Sequence, residues 1–231
     1  MIEVFAVKIE KPIIPVDFEK FLRFINITKQ ERVLSFRKKE DAERALVGDF
    51  LVRSIIIERY GYSNSEIQFD ENKYGKPYWP EKEDFCYNLS HSGKYVVCAV
   101  DNHPVGIDVQ IIRPISIEIA KRFFSRTEYE YIIKHNEEEH LSVFYDIWTL
   151  KESYIKAIGR GLSIPLNSFS VITNDSDIQV KTENGEVWFL KQYTVSPEYK
   201  LAVCAKRGGF PEAFKEIKVE VLFKKVLSLS Q

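Results

Sequence analysis

The sequence predicts an α+β fold of two joined subdomains, each an antiparallel sheet with one long packed helix. Three observations carry this. Strand-like alternation opens the chain, two long segments have helical periodicity (Glu40 to Tyr60 and Val143 to Ile158), and clusters of short apolar runs separated by turn residues accompany each helix. No Pro- or Ser-rich linker separates the halves, and no internal repeat is strong enough to establish duplication. The expected division falls near residue 105, giving subdomains 1–105 and 106–231 with a functional site at their interface, where ligand pockets tend to form.

In the first half, Met1 to Ile9 reads as a strand. Pro12 and Pro15 then break the chain, and Phe18 to Phe24 start a short helical pattern leading into a basic stretch from Lys29 to Lys39. In the long helix Ala42, Ala45, Leu46, Leu51 and Ile55 form the expected buried face, Asp49 and Arg53 are placed to pair across one turn, and Gly61 supplies a stop. After Ile67-Gln68-Phe69 and a Tyr74-Gly75-Lys76-Pro77 turn, strands at Phe85 to Leu89 and Tyr95 to Val100 flank a Ser90-His91-Ser92-Gly93 tip. A turn at Asp101 to Pro104 feeds a third strand, Gly106 to Gln110, so residues 82 to 111 are expected to form one antiparallel meander.

The second half is expected to hold helices at Ile117 to Phe124 and Thr127 to Lys134, a charged break from His135 to His140, and the helix Val143 to Ile158, ended by Gly159 and Gly161. Strands follow at Phe169 to Thr173, Val187 to Tyr193 and Leu201 to Ala205, with Asn184-Gly185 marking a hairpin turn.

A chain of 231 residues that is 45% hydrophobic and 29% charged is composed like an ordinary soluble enzyme. With 33 basic against 34 acidic side chains it has no global attraction to nucleic acid or anionic membrane, so any anion site is local. No apolar run approaches the roughly 20 residues of a membrane-spanning helix, and the first residues lack the pattern of an export signal. Cys86, Cys98 and Cys204 match no zinc or redox spacing and read as buried thiols of a reducing cytoplasm.

Two segments carry chemistry. In Trp148-Thr149-Leu150-Lys151-Glu152-Ser153-Tyr154-Ile155-Lys156, Glu152 and Lys156 lie one turn apart on one face, with Trp148 a turn before them. Such a pair also stabilises exposed helices, but a Trp is out of place on a solubility stripe. In Gly106-Ile107-Asp108-Val109-Gln110, Asp108 and Gln110 project opposite Ile107 and Val109, putting an acid in a core strand. Asp108 either ends a strand or, with Glu152, offers oxygens to a hard cation. Magnesium suits one or two carboxylates plus substrate phosphate, which points to a nucleotide-like or pyrophosphate substrate. His91, between Ser90 and Ser92, is either a surface residue or part of an anion-binding turn. The basic run Lys29, Arg32, Arg37, Lys38, Lys39 and Arg44 is either a solvated helix face or a phosphate site.

Taken together, Tyr74-Gly75-Lys76-Pro77, Asn88-Leu89-Ser90-His91-Ser92, Gly106-Ile107-Asp108-Val109, Phe123-Phe124-Ser125 and Trp148-x-x-Lys151-Glu152-Ser153-x-x-Lys156 closely resemble the surfactin-synthetase-activating type of 4′-phosphopantetheinyl transferase, in order and over nearly the whole chain. The resemblance implies an α+β pseudo-dimer, with coenzyme A in the cleft between subdomains and magnesium on its pyrophosphate. It implies transfer of phosphopantetheine to a serine of apo peptidyl or acyl carrier proteins, releasing adenosine 3′,5′-bisphosphate. The same resemblance assigns Asp108 and Glu152 to magnesium. It makes Glu152 or a metal-bound water the proton acceptor and gives Lys156 the phosphate charge. Ser90 and His91 are assigned to the diphosphate, Gly75, Lys76 and Pro77 to the adenine end, and Lys29, Arg32 and Arg44 to the ribose phosphate. Where many members have a second acid, this chain has Gln110, a neutral and weaker magnesium ligand. Gly161 to Leu166 is expected either to join the carrier-docking surface or to be a core connector. A monomer without nucleic-acid or membrane partners is expected; a non-catalytic binding module and a magnesium-dependent hydrolase are the alternatives.

Overall fold

In this computed structural model, residues 1–173, 178–182 and 185–228 are described. The chain opens with β1 (Glu3–Lys8), then α1 (Pro15–Leu22) and α2 (Ile27–Leu34). Pro15, expected to break the chain, instead starts α1, where its fixed φ suits the first turn and no amide hydrogen is missed. Part of the basic stretch is helical, because the Asn26 side chain caps α2 by accepting from the Lys29 amide at 2.8 Å.

The long helix α3 (Lys39–Tyr60) ends on Gly61 in the left-handed conformation, its N–H returned to the Ile57 carbonyl. Ala42, Leu46, Leu51 and Ile55 are buried as expected, and Ala45 is partly buried. The short hairpin of β2 (Asp70–Glu71) and β3 (Pro77–Tyr78) follows.

Strands β4 (Cys86–Ser92) and β5 (Tyr95–Asp101) form an antiparallel hairpin. Its tip is only Gly93-Lys94, so Ser90, His91 and Ser92 belong to the strand rather than to the turn. The expected three-stranded meander is not formed: β6 (Val105–Ile111) leaves the sheet and pairs with a strand almost a hundred residues later.

After α4 (Ala120–Phe123) and α5 (Arg126–Ile133), the helix α6 runs Glu137–Ile158, six residues longer than expected. The charged segment read as a break is its first turn: Asn136 and Glu139 form a capping box, and Glu137, Glu138 and Glu139 complement the positive end of the helix dipole. Gly159 stops it in the left-handed conformation, as at Gly61. The chain continues through β7 (Val171–Thr173), β8 (Ile178–Lys181), which was not expected, β9 (Val187–Tyr193) and β10 (Tyr199–Ala205). Asn184 of the expected hairpin turn lies outside the described residues. Within the half expected to span 106–231, β11 (Lys215–Ile217) and α7 (Val219–Ser228) return to the first half: β11 pairs in parallel with β1, and Phe223 stacks on Phe21.

The sheets are ordered β11-β1-β5-β4 and β6-β10-β9-β8-β7. Side-chain parity stacks them in four layers. Phe5, Val7, Val96, Cys98 and Val100 face α3, whereas Val4, Ala6, Val97 and Ala99 face Ile107, Val109, Leu201 and Val203 of the second sheet. The opposite face of that sheet, with Leu190, Ala202 and Cys204, packs on Leu150, Tyr154 and Ala157 of α6. Burying each Ile, Val or Leu in these layers contributes about 1.5–3 kcal/mol. Cys98 and Cys204 are buried and Cys86 is half-buried, and burial pushes all three thiols up, away from the reactive thiolate. Among the described residues no helix is long and apolar enough to cross a membrane.

Candidate active site

One close approach sets the site. At Gly106 the strand β6 crosses α6 so tightly that a Cβ would lie 2.0 Å from the Ser153 carbonyl oxygen and 2.3 Å from the Ala157 nitrogen. Only glycine permits this contact of main chain on main chain. Two residues on, Asp108 therefore projects against the same helix face. Asp108 is 1% exposed, and its Oδ1 accepts from Lys156 Nζ at 2.6 Å and from Ser90 Oγ at 2.9 Å. Its Oδ2 accepts from Gln110 Nε2 at 3.2 Å. Lys156 also donates to Ser90 Oγ at 2.9 Å. The ion pair formed by Lys156 is thus with Asp108 of β6, within the second half, rather than with Glu152 one turn back along its own helix, and its contact across the two halves is with Ser90.

The electrostatics of the cluster are unbalanced in a useful way. Burial, then the charge of Asp108, push the Glu152 carboxyl above the usual range, with Lys156 opposing. His91 is pulled below its ordinary value first by the protein around it and then by the cations of Arg44 and Lys156, which favours the neutral imidazole at neutral pH. The rotation of α6 is held by Lys151, which takes no part in this cluster. Fully buried, it donates to both Glu128 carboxylate oxygens at 2.7 Å and to the Phe169 carbonyl at 2.6 Å. With Lys151 locked inward, its neighbour Glu152 is turned toward the seam.

The other sequence-predicted residues sit around this core. Arg44 pairs with Asp41 and donates Nη1 to the Gly93 carbonyl at 2.8 Å, holding the hairpin tip near His91; its buried Nε has no partner among the described residues. Lys76 sends its ammonium to Val105 O, Lys156 O and Ala157 O at 3.0, 2.6 and 3.2 Å. It thereby caps the negative end of α6 from the other half, and burial draws it down to about 8. What Lys76 offers a ligand comes from its main chain or its stem. Gly75 occupies the left-handed turn of this hairpin at φ 80°. Lys29, Arg32, Glu71, Pro77, Tyr87 and Leu89 line a cavity of about 370 Å³ on the far side of β4, where Arg32 also pairs with Glu71 at 2.9 Å. Asp108, Gln110, Lys156 and Ser90 thus meet directly, with Glu152 within electrostatic reach of Asp108 and Lys156, while Lys29, Arg32 and Pro77 form a second group beside them.

Sequence reasoning missed three contributors. The polar alternation Asn88-x-Ser90-x-Ser92 in an otherwise apolar strand was a signal for the first, an inter-sheet contact. Lys151 stands in the same motif as Glu152, but nothing local reveals its burial. Lys200 lies directly across the β6–β10 ladder from Gln110 and pairs with Asp146 at 2.7 Å; no sequence feature signals that neighbour.

The donor set bears on a metal. Among the described residues no group of three or more His, Cys, Asp or Glu side chains could hold an ion. The Glu152 carboxylate, raised by burial and then by the charge of Asp108, with the Gln110 amide alongside, suits magnesium, which takes few protein ligands and shares the rest with phosphate and water. The repulsion that raises Glu152 is what a divalent cation would relieve. The residues fit the ion.

Residues 104–204 match the family described as the 4′-phosphopantetheinyl transferase superfamily, and residues 12–103 match the 4′-phosphopantetheinyl transferase N-terminal family. The chain is 42% identical over 222 residues to 4′-phosphopantetheinyl transferase Sfp of Bacillus subtilis, covering 95% of this chain and 99% of that one. It is 39% identical to 4′-phosphopantetheinyl transferase gsp of Aneurinibacillus migulanus, covering 80% and 77%. It is 29% identical to 4′-phosphopantetheinyl transferase HetI of a Nostoc species, covering 79% of each.

Proposed function

The chain belongs to the 4′-phosphopantetheinyl transferase superfamily and is a 4′-phosphopantetheinyl transferase, and from that premise we propose that it moves phosphopantetheine from coenzyme A to a serine of apo peptidyl or acyl carrier domains, using magnesium. The observation that carries the reading is the meeting of Asp108, Glu152 and Lys156 at the seam between the sheets. Support for the expected pseudo-dimer comes from two 22-residue helices, each ended by a left-handed glycine and each backed by a sheet. The seam between those halves is where coenzyme A would lie.

In the reaction the carrier serine oxygen forms a bond to the β-phosphorus. The bond from that phosphorus to the bridging oxygen breaks, and the bridging oxygen leaves on adenosine 3′,5′-bisphosphate. Glu152 takes the serine proton as the general base. Lys156, already aimed at an anion, shifts part of its charge to the phosphate oxygens, a preorganised form of stabilisation. Asp108, Glu152 and Gln110 would hold magnesium. Magnesium, when bound, would neutralise diphosphate charge and polarise its bonds to oxygen. His91 and the Nε of Arg44 would meet diphosphate or ribose-phosphate oxygens, and Ser90 would join them when its hydroxyl proton turns from Asp108 to the ligand. Lys29 and Arg32 would take the ribose phosphate, and the main chain of Gly75, Lys76 and Pro77 the adenine end.

The carrier would dock beside Gly161–Leu166, whose Gly161 and Pro165 are exposed, while Leu166 is buried against α6 and serves the core. The Leu162 side chain lies outside the described residues. Carriers of peptide or polyketide assembly, a cytoplasmic setting and a monomer complete the reading. Intact-mass spectrometry of apo peptidyl and fatty-acid carriers, incubated with the protein, coenzyme A and magnesium, tests it. A phosphopantetheine-sized gain abolished by EDTA is expected; no gain on either carrier would remove the reading. The neutral Gln110 predicts a raised magnesium requirement, so Gln110→Glu should bind magnesium more tightly by calorimetry.

A further inference from the structure

Strand β6 is an edge strand of the second sheet, paired with β10 on one side only. Its outward amides at Ile107, Val109 and Ile111 would be unsatisfied where it is buried, a costly arrangement. Among the described residues no main-chain strand covers them. Instead Ile107 N donates to Asn88 Oδ1 at 2.9 Å, Val109 N to Ser90 Oγ at 3.3 Å and Ile111 N to Ser92 Oγ at 3.0 Å, every pair 19 residues apart. Three alternate side chains of β4 thus form a ladder where a main-chain ladder would otherwise run. Each rung adds the length of a side chain between the strands, so the two sheets meet in register without fusing.

The middle rung also belongs to the reacting cluster. Ser90 Oγ accepts from Val109 N and from Lys156 Nζ and donates to Asp108 Oδ1, which uses its hydrogen-bonding capacity in full. A shift of β6 along β4 would move Asp108 while leaving Lys156 on its own helix, so the spacing of this ion pair depends on the register that all three rungs hold.

We infer that Asn88 and Ser92, the outer rungs, are positioning residues for transfer: they hold β6 in the register at which Asp108, Glu152 and Lys156 converge, without touching substrate themselves. This rests on the proposed transferase chemistry for its consequence but not for the ladder. The expected role is geometric, so it falls on turnover rather than on affinity.

The test uses Ser92→Ala and Ser92→Thr in the full chain, because Ser92 is only half-buried and its truncation spares the core. Amide hydrogen exchange at Ile111, followed by NMR in the protein alone, should quicken about tenfold in Ser92→Ala, as for loss of one buried hydrogen bond. The kcat of carrier modification should fall several-fold, with KM for coenzyme A within about twofold, and the Thr variant, which keeps the hydroxyl, should restore both. Asn88→Asp, which keeps the acceptor, should exceed Asn88→Leu in kcat. Unchanged Ile111 exchange in Ser92→Ala would overturn the ladder whatever the enzyme does. A rise in KM with kcat intact would overturn the positioning role and make Ser92 a ligand contact. If the wild type modifies no carrier, the transferase chemistry fails and the positioning role with it, while the exchange data still decide whether the ladder exists.

Discussion

Helices α3 and α6 are the same length and end on the same left-handed glycine cap, and Asp49 and Arg53 in one match Glu152 and Lys156 in the other as an acid and a base four residues apart, yet only the second pair converges on Asp108. In α3, Arg53 is 1% exposed, donates Nε to Asp49 at 2.5 Å, and sends Nη1 to Asn64 O, Asn64 Oδ1 and Ile67 O. The pair closes on itself and ties the helix to the following loop. In α6, Lys156 turns away from Glu152 to reach Asp108 and Ser90, and Glu152 is left beside a like charge with a raised pKa. The contrast teaches that spacing identifies a helix face. Function is marked by charge that the fold has not compensated locally.

Replacing Arg53 breaks this comparison most severely. Arg53→Met should cost about 3–5 kcal/mol, because Asp49 is left as a buried unpaired charge, while turnover per folded molecule stays near wild type; denaturant titration and active-site-normalised kinetics measure the two. A loss of about 3 kcal/mol, the upper end of overpacking costs, is expected from Gly106→Ala, since a Cβ there meets main-chain atoms that cannot rotate aside. Glu152→Gln should do the reverse of Arg53→Met. Turnover falls on the order of 10²-fold or more, and thermal stability is unchanged or raised, because the fold disfavours the ionised carboxylate that the substitution removes. Wild-type turnover in folded Glu152→Gln would end its assignment as the base.

Smaller effects sharpen the comparison. Gly48, inside α3, has room for a Cβ at 3.6 Å from Leu89 and Val96, so Gly48→Ala should stabilise by about 0.5–1 kcal/mol, opposite in sign to Gly106→Ala. A pH-dependent effect concerns Lys76, lowered from 10.5 to about 8 by burial. Between these values the unfolded chain holds a proton that the folded chain has lost, so stability rises with pH. The wild type should therefore gain on Lys76→Met as pH climbs through about 8, and below that value their difference should be flat. Melting curves across the range give the sign.

Much of the molecule was legible for reasons that are local. Period-2 alternation placed Asp108 opposite Ile107 and Val109, and helical spacing placed Glu152 and Lys156; both follow from backbone geometry alone. Gly61 and Gly159 ended their helices because only glycine takes the left-handed cap without strain. The early start of α6 was also written locally, in Asn136 and Glu139, but a run of charges at 135–140 masked a capping box. What was not legible involved distant partners. Three strands with short turns look like a meander whether or not the third stays, and β6 leaves because β10 covers its other edge. Arg44 and Lys76 looked free until the hairpin tip and the α6 carbonyls claimed their donors.

The amino-acid sequence by itself determined the helices, the strands, their caps and the faces on which Asp108, Glu152 and Lys156 stand, because these depend on neighbours within a turn or two. Only the tertiary structure decided that Lys156 meets Ser90, 66 residues away, and Asp108, 48 away. Those contacts depend on which edges and faces can be buried together without leaving a polar group unpaired, a condition on the whole chain that no local segment expresses.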